Sequence, residues 1–265
     1  MSRYAAMFDR CRNEERIALG GFLMLGHPSL SATGELLDAL VQGGADMVEL
    51  GIPFSDPVAD GPVIARAGKQ ALDAGVTPDD CLRLIADFRT RHHDVPVGIL
   101  TYANIVVARG RAEFARELAS AGADSLLVAD VPSIEAEPWA EDMIAAGIDP
   151  VLIAAPNTPD AALQRIASLG RGYTYCVARS GVTGSGEAPR LAHGELFAAL
   201  ESHGAPPPVL GFGISTAEHV ATAARSGAGG VIVGSALVQL SAQNDGPAKV
   251  RDYCRTLTRG LSRRG

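Results

Sequence analysis

The chain has 265 residues, of which 47% are hydrophobic and 20% charged, a composition typical of a globular protein rather than a disordered one. Its net charge of −7 argues against a nucleic-acid or anionic-membrane partner, since either would favour a dominant basic face. The sequence shows no secretory leader, no apolar run long enough to span a membrane and no metal-ligand spacing among its cysteines and histidines. We therefore expect a cytoplasmic protein without a metal site.

Eight short apolar segments alternate along the chain with stretches of helical periodicity. The segments lack polar–apolar alternation, so we predict strands buried on both faces, as in a parallel sheet covered by helices. Thr158 and Ser215 are expected N-caps of two of the helices. In chain order, the predicted strands lie within Gly21–Leu25, 43–50, Pro96–Leu100, 121–130, 146–155, Tyr173–Val177, Val209–Phe212 and 226–235.

Four of these segments begin with the same signal, a glycine and a short connector before the apolar run. Gly44, Gly122, Gly147 and Gly227 stand where the end of a helix favours a residue with positive φ. Eight such β–α units predict a single-domain (β/α)₈ barrel, also called a TIM barrel, over residues 1–265. An open doubly wound sheet is the alternative, although no GxGxxG motif follows the first strand.

The second predicted strand contains a glutamate within an apolar run. Because side chains alternate along a strand, Val48 and Leu50 can face the helices while Glu49 faces the barrel interior. A carboxyl group there loses hydration, which raises its pKa and suits it to general acid–base catalysis. The structural alternative is an interior glutamate paired with Lys or Arg, although no basic residue ends a neighbouring strand.

The loop after this strand is long and rich in proline and glycine, and it carries Asp56 and Asp60. Long structured loops after barrel strands are usually functional. Each aspartate could instead be a turn residue or the N-cap of the next helix. The functional interpretation is favoured for Asp60.

The later strand ends are rich in small residues. Segment 178–190 contains three glycines and is typical of a lid or a phosphate-approaching loop. The next two strands end in GFGIS (211–215) and GSAL (234–237), where many barrels bind phosphate through backbone N–H groups. Gly213, Gly234 and Ser235 are the predicted donors, and ordinary glycine turns are the alternative. These patterns predict an enzyme for a phosphorylated small substrate, with no organic cofactor indicated.

One segment carries a specific family resemblance. LGIPFSDPVADGP (50–62) resembles the signature of tryptophan synthase α subunits, and further similar segments follow in order and at matching spacing. They are YAN (102–104), ADVP (129–132), RGYTY (171–175), GVTG (181–184), GFGIS (211–215) and GSALV (234–238). Arg3, Tyr4 and Phe8 are similar to the family's extra N-terminal helix, which closes the barrel bottom.

The resemblance implies cleavage of indole-3-glycerol phosphate to indole and glyceraldehyde 3-phosphate in tryptophan biosynthesis, by a lyase of the aldol type. Glu49 would be the acid–base residue that delivers a proton to indole C3. Asp60 would bind the indole N–H and stabilise the positively charged intermediate, and Thr183 would help to close the lid. The implied indole slot comprises Phe22, Leu100, Leu127, Ala129, Ile153, Tyr175 and Phe212. The implied phosphate site comprises Gly184, Gly213, Gly234 and Ser235.

The family also implies a partner. Its members form α₂β₂ heterotetramers in which indole passes to a β subunit that carries pyridoxal phosphate, and no cofactor is expected in this chain. Asp56 and Pro57 are the implied contacts with that subunit. The chain departs from the family's Thr-x-Gly-Asp-Pro motif at Met24 and His27, and from its serine before the lid at Ala178. His27 could act as a new ligand or base, and its presence puts any partner contact of that loop in doubt.

Three other functions compete with this interpretation. Indole-3-glycerol phosphate synthase needs a lysine acid, but Lys69 and Lys249 are the only lysines and neither lies at a strand end. A non-catalytic activating subunit would not need Glu49, Asp60 and Thr183. A free-standing indole-producing lyase would differ only in its partner surface, which the sequence does not reveal.

Overall fold

The computed structural model describes residues 1–177, 193–211 and 213–263. In these ranges, short parallel strands alternate with helices along the chain. The strands are β1 (Ala18–Met24), β2 (Met47–Gly51), β3 (Val97–Thr101), β4 (Ser125–Val128), β5 (Asp149–Pro150), β6 (Leu152–Ala154), β7 (Thr174–Cys176), β8 (Pro208–Leu210) and β9 (Gly230–Val233). The helices are α1 (Arg3–Asn13), α2 (Leu30–Gln42), α3 (Pro62–Asp73), α4 (Pro78–Arg91), α5 (Ala103–Arg109), α6 (Arg111–Ala121), α7 (Glu137–Ala145), α8 (Asp160–Leu169), α9 (Gly194–Ser202), α10 (Ala217–Arg225), α11 (Ser235–Ser241) and α12 (Gly246–Thr258), with a 3₁₀ turn at Ser133–Glu135.

The two ends of the sheet meet, so the sheet is closed into a barrel. The strand order is β5-β4-β3-β2-β1-β9-β8-β7-β6, and its two ends, β5 and β6, are separated in the chain by Val151 alone. The Val151 N–H donates to the Leu126 carbonyl at 3.0 Å, so these segments form one interrupted barrel strand. The predicted (β/α)₈ barrel is confirmed. The open doubly wound sheet is excluded, because the two edge strands of such a sheet would lie far apart, whereas β5 and β6 are adjacent.

Glycines end four of the helices as predicted. Gly44, Gly122, Gly147 and Gly227 have φ of +96°, +90°, +81° and +94°. A residue with a side chain would be strained in this backbone conformation, so glycine is favoured there. The two predicted helix N-caps, Ser215 and Thr158, are not the N-caps of the helices that follow them.

The N-cap of α10 is Thr216 and not Ser215, and Thr216 accepts a hydrogen bond from the His219 N–H. Pro159 precedes α8, while the Thr158 hydroxyl accepts from the Ala155 N–H at 2.8 Å. Thr158 therefore stabilises the turn before the helix rather than the helix end.

Helix α1 closes the bottom of the barrel, as the resemblance implied. Its Tyr4, Met7 and Phe8 are buried in the same apolar cluster as interior strand residues. Arg3 pairs with Asp124 at 2.8 Å and Arg10 pairs with Asp46 at 2.9 Å. These contacts fasten the helix to the loops that enter β2 and β4.

No helix within the described ranges is long and apolar enough to cross a membrane.

Candidate active site

A cavity of about 280 Å³ opens at the carboxyl ends of the strands. Apolar side chains, two carboxyl groups and several small residues surround it, as is common for a small-molecule site. Its lining comprises Phe22, Glu49, Ala59, Asp60, Gly61, Ile64, Leu100, Tyr175, Gly211, Gly213, Ile214, Ser215, Ile232, Gly234, Ser235 and Ala236.

Strand register places Glu49 inside the barrel. It lies opposite Phe22 of β1 and Gly98 of β3, whereas Val48 and Leu50 pack in the core beneath the helices. The Glu49 side chain is buried, with 2% of its surface exposed. The predicted orientation is confirmed, and its cause is the alternation of side chains along β2.

Burial, and to a smaller extent the nearby charge of Asp60, raise the pKa of Glu49 to about 7. The Tyr173 hydroxyl donates to Oε1 at 2.7 Å and opposes this effect by stabilising the ionised form. Oε2 is buried without a hydrogen-bond partner in the described part of the chain. No Lys or Arg pairs with Glu49 there either, so the structural alternative of an interior ion pair is not supported.

Asp60 faces the same cavity from the loop after β2. The N-cap of α3 is Gly61. Asp60 is therefore not the N-cap of that helix, which was one of the alternatives that the sequence allowed, and it lines the cavity instead. The pKa of Asp60 is raised to about 6 by burial, an effect that the neighbouring Tyr102 hydroxyl partly offsets. Asp60 is therefore largely withdrawn from water, and its pKa lies below that of Glu49.

The apolar wall agrees in part with the implied indole slot. Phe22, Leu100 and Tyr175 line the cavity, whereas Leu127 lies in the same interior cluster without lining it. Ala129 and Ile153 pack against that cluster, also away from the cavity. Phe212 lies outside the described residues. The sequence interpretation missed Ile64 and Ile232, although Ile232 could have been found from alternation along β9.

The predicted phosphate donors reach the cavity from the last two barrel strands. Gly213 has φ of +77°, Gly234 is the N-cap of α11, and Ser235 begins that helix. All three line the cavity, together with Ser215 and Ala236, which were not predicted. The remaining predicted residues of this region, Thr183, Gly184 and Ala178, lie outside the described residues.

His27 does not face the cavity. It is buried, with 5% of its surface exposed, and burial lowers its pKa, an effect partly offset by a hydrogen bond with the Val238 backbone. A side chain in this position is neither a base for a ligand in the cavity nor a residue that a partner can touch.

The predicted partner residues lie on the outside of the loop that carries Asp60. Asp56 is exposed and Pro57 is half-buried, and neither lines the cavity. Among the described residues, no group of three His, Cys, Asp or Glu side chains is arranged to hold a metal ion.

Comparison with known proteins agrees with this site. A family model described as tryptophan synthase alpha chain matches residues 8–261. The tryptophan synthase alpha chain of Shewanella amazonensis is 45% identical over 239 residues, which cover 90% of each chain. The Escherichia coli protein of that name is 43% identical over 244 residues, covering 92% of this chain and 91% of the relative.

Solved structures are similar over the whole barrel. A crystal structure of tryptophan synthase from Mycobacterium tuberculosis in its aminoacrylate-bound form has a TM-score of 0.87 and 32% identity, covering 98% of this chain and 100% of that chain. The tryptophan synthase subunit alpha from Legionella pneumophila has a TM-score of 0.83 and 30% identity, covering 96% and 98%. The family that the motifs resembled is thereby confirmed, and this chain belongs to the tryptophan synthase alpha chain family.

Proposed function

We propose that this chain is a carbon–carbon lyase that cleaves indole-3-glycerol phosphate to indole and glyceraldehyde 3-phosphate. The observation that carries the proposal is a pair of carboxyl groups, Glu49 and Asp60, in one apolar cavity with pKa values of about 7 and about 6. Glu49 therefore keeps its proton to a higher pH than Asp60 does. Different environments thus give the two groups different roles.

Glu49 acts on carbon. Its side chain lines the cavity, and Oε1 is held by the Tyr173 hydroxyl. In its protonated form Glu49 delivers a proton to indole C3, which converts the ring to an indolenine-like cation. A donor with a pKa near the working pH is efficient in such a step.

Asp60 stabilises the charge that this protonation creates. Its carboxylate accepts a hydrogen bond from the indole N–H, and this interaction becomes stronger as the ring becomes positive. A base then removes the proton of the glycerol hydroxyl next to the ring. The C3–C3′ bond breaks, its electron pair restores the aromatic indole, and the new carbonyl belongs to glyceraldehyde 3-phosphate.

The two halves of the substrate would bind at different parts of the cavity. Phe22, Leu100 and Tyr175 provide an apolar wall for the indole ring. Gly234 and Ser235 would present backbone N–H groups to the phosphate, since the first amides of a helix lack intrahelical acceptors, and Gly213 would add its N–H from the turn after β8. We retain Leu127, Phe212, Thr183 and Gly184 as proposed contributors.

The proposed partner is a tryptophan synthase β subunit in an α₂β₂ assembly in the cytoplasm. Three large apolar side chains are exposed in consecutive connections after β2, β3 and β4: Val58 (68%), Val107 (58%) and Ile134 (69%). Exposed apolar groups at one end of a barrel are typical of an interaction surface. Asp56 and Pro57 lie beside Val58. Indole would pass to the partner, and pyridoxal phosphate would be bound there rather than in this chain.

Indole release from indole-3-glycerol phosphate tests the proposal. We would compare wild type, Glu49→Gln and Asp60→Asn, each with and without a cognate β subunit. We expect turnover by wild type, acceleration by the β subunit, and a loss of about two or more orders of magnitude in each variant.

Other outcomes would favour the competing functions. A wild-type chain that is inactive even with the β subunit would be a non-catalytic binding or activating subunit. Full activity without any response to the β subunit would identify a free-standing indole-producing lyase.

A further inference from the structure

Tyr102 lies beneath the loop that carries Asp60. It follows β3 and is buried, with 1% of its surface exposed. Its ring stacks on Phe54, with centroids 5.1 Å apart and planes inclined by 25°. Its hydroxyl accepts a hydrogen bond from the Ala59 N–H at 3.2 Å, and its interaction with the neighbouring Asp60 carboxylate lowers the pKa of that group. One side chain therefore contacts both ends of the exposed turn at residues 55–58.

The hydrogen-bond pattern orients the Tyr102 hydroxyl. A phenol has one proton to donate and can accept through its lone pairs. Because the Ala59 N–H donates to the oxygen, the phenol proton remains available for the Asp60 carboxylate, which can only accept. A hydrogen bond to an ionised acceptor is about twice as strong as a neutral one, so a donation from this hydroxyl would restrict the rotation of the carboxylate.

The turn itself is closed by backbone hydrogen bonds. The Val58 N–H donates to the Asp56 carbonyl at 2.9 Å, and the Asp60 N–H donates to the Pro57 carbonyl at 3.1 Å. These bonds close the turn on itself and connect Asp60 to Pro57. The contacts of Tyr102 with Phe54 and Ala59 attach the turn to the barrel on either side.

We propose that Tyr102 is a positioning residue for Asp60, whose hydroxyl holds the carboxylate in the orientation that the indole N–H requires. The inference rests on the proposed lyase function. Tyr102 does not line the cavity, so it acts through Asp60 and not on the substrate directly. Its ring secures the loop against β3, and its hydroxyl sets the angle of the carboxylate.

The test is Tyr102→Phe, which keeps the ring on Phe54 and removes only the hydroxyl. We would measure kcat and KM for indole-3-glycerol phosphate from pH 5 to 9, in the wild-type and Asp60→Asn backgrounds. In the wild-type background we expect kcat to fall about tenfold or more, as for one lost hydrogen bond to a charged group, with KM within about twofold. In the Asp60→Asn background the same change should have no further effect.

The pH profile provides a readout that a purely structural role would not move. The hydroxyl stabilises ionised Asp60, so its loss should shift the Asp60 midpoint to higher pH. Glu49 and Tyr175 also interact with the charge of Asp60, so their titration could be confused with that of Asp60. The Asp60 midpoint is the one that disappears from the pH profile in the Asp60→Asn variant. As a matched control, Tyr253→Phe removes a hydroxyl that donates to the Ser215 carbonyl at 2.7 Å and should leave this midpoint unchanged.

Two results would overturn the positioning role while the lyase function stands. One is an active wild type with impaired Asp60→Asn but an unchanged kcat and midpoint in Tyr102→Phe. The other is an equal loss of kcat in both backgrounds, because the hydroxyl would then act independently of Asp60. An inactive wild type would instead reject the proposed function, and this inference with it.

Discussion

Glu49 illustrates how a functional residue is held at the expense of stability. It lies beside Phe22 within the barrel, and burial raises its pKa to about 7 from an ordinary value of 4.5. Its inward position was predicted from alternation along one strand, which is a local property. Its partner Tyr173 was not predicted, because the two residues are 124 positions apart and only barrel closure brings them together. The contact between Tyr102 and Ala59 could not be predicted for the same reason, because these residues are 43 positions apart in the chain.

The raised pKa of Glu49 makes stability depend on pH. The unfolded chain ionises this group from about pH 4.5, whereas the folded chain ionises it only near pH 7, so the folded state loses relative stability as pH rises between these values. Glu49→Gln removes this titration. We expect the unfolding free energy of the variant, relative to wild type, to increase by about 3 kcal/mol between pH 4.5 and pH 8. Urea unfolding at several pH values measures this difference, and a constant difference would show that Glu49 ionises normally.

At the scale of elements, two aspartates connect the closing helix α1 to the barrel. Asp46 and Asp124 stand at the entries to β2 and β4, each in a Gly-Ala-Asp sequence. Asp46 accepts from Arg16 at 2.7 and 2.8 Å, from Arg10 at 2.9 Å and from the Leu19 N–H at 3.0 Å. Burial raises the pKa of Asp46, but these hydrogen bonds outweigh it and the net shift is downward. The repeated strand entry predicted the elements but not these ion pairs, because the arginines come from elsewhere in the chain.

Breaking the cluster around Asp46 should destabilise the protein. Asp46→Asn leaves Arg10 and Arg16 without their shared carboxylate, but these side chains are 47% and 21% exposed, so water can solvate the charges that remain. We therefore expect a cost of about 1.5–3 kcal/mol, as for hydrogen bonds to a charged group, rather than the larger cost of a fully buried pair. The control is Asp73→Asn, which breaks the exposed Lys69–Asp73 pair on α3 and should cost less than about 1 kcal/mol. Denaturant unfolding of both variants measures the difference. Equal losses would mean that the Asp46 cluster contributes no more than a surface ion pair.

At the scale of the molecule, the barrel places the cavity and the proposed partner surface at the same end. All parallel strands end there, so the loops that carry Asp60 and the exposed Val58, Val107 and Ile134 lie on one face. The opposite end is closed by α1. A product released from the cavity therefore emerges next to the proposed partner.

Charge placed on this face should weaken binding of the β subunit. Val107→Asp and Ile134→Asp put a carboxylate into an apolar contact, and we expect each to weaken binding at least about tenfold while basal lyase activity is unchanged. Ile144→Asp is the control, since Ile144 is exposed near the end of α7, at the entry side of the barrel. Titration calorimetry with the β subunit measures the affinities. Unchanged affinity in Val107→Asp and Ile134→Asp would place the interface elsewhere, and equal losses in all three variants would show that the effect is not specific to this face.

The amino-acid sequence by itself determined the barrel, the glycines that end its helices, the inward direction of Glu49 and the family. These follow from patterns in which the interacting residues are near one another in the chain or stand in a recognisable motif. Only the tertiary structure decided which side chains line the cavity, that Tyr173 donates to Glu49 and Tyr102 lies beside Asp60, and that Leu127 and His27 lie away from the cavity. The physical reason is that pKa values, hydrogen-bond partners and exposure depend on atoms from distant strands, which meet only when the barrel closes.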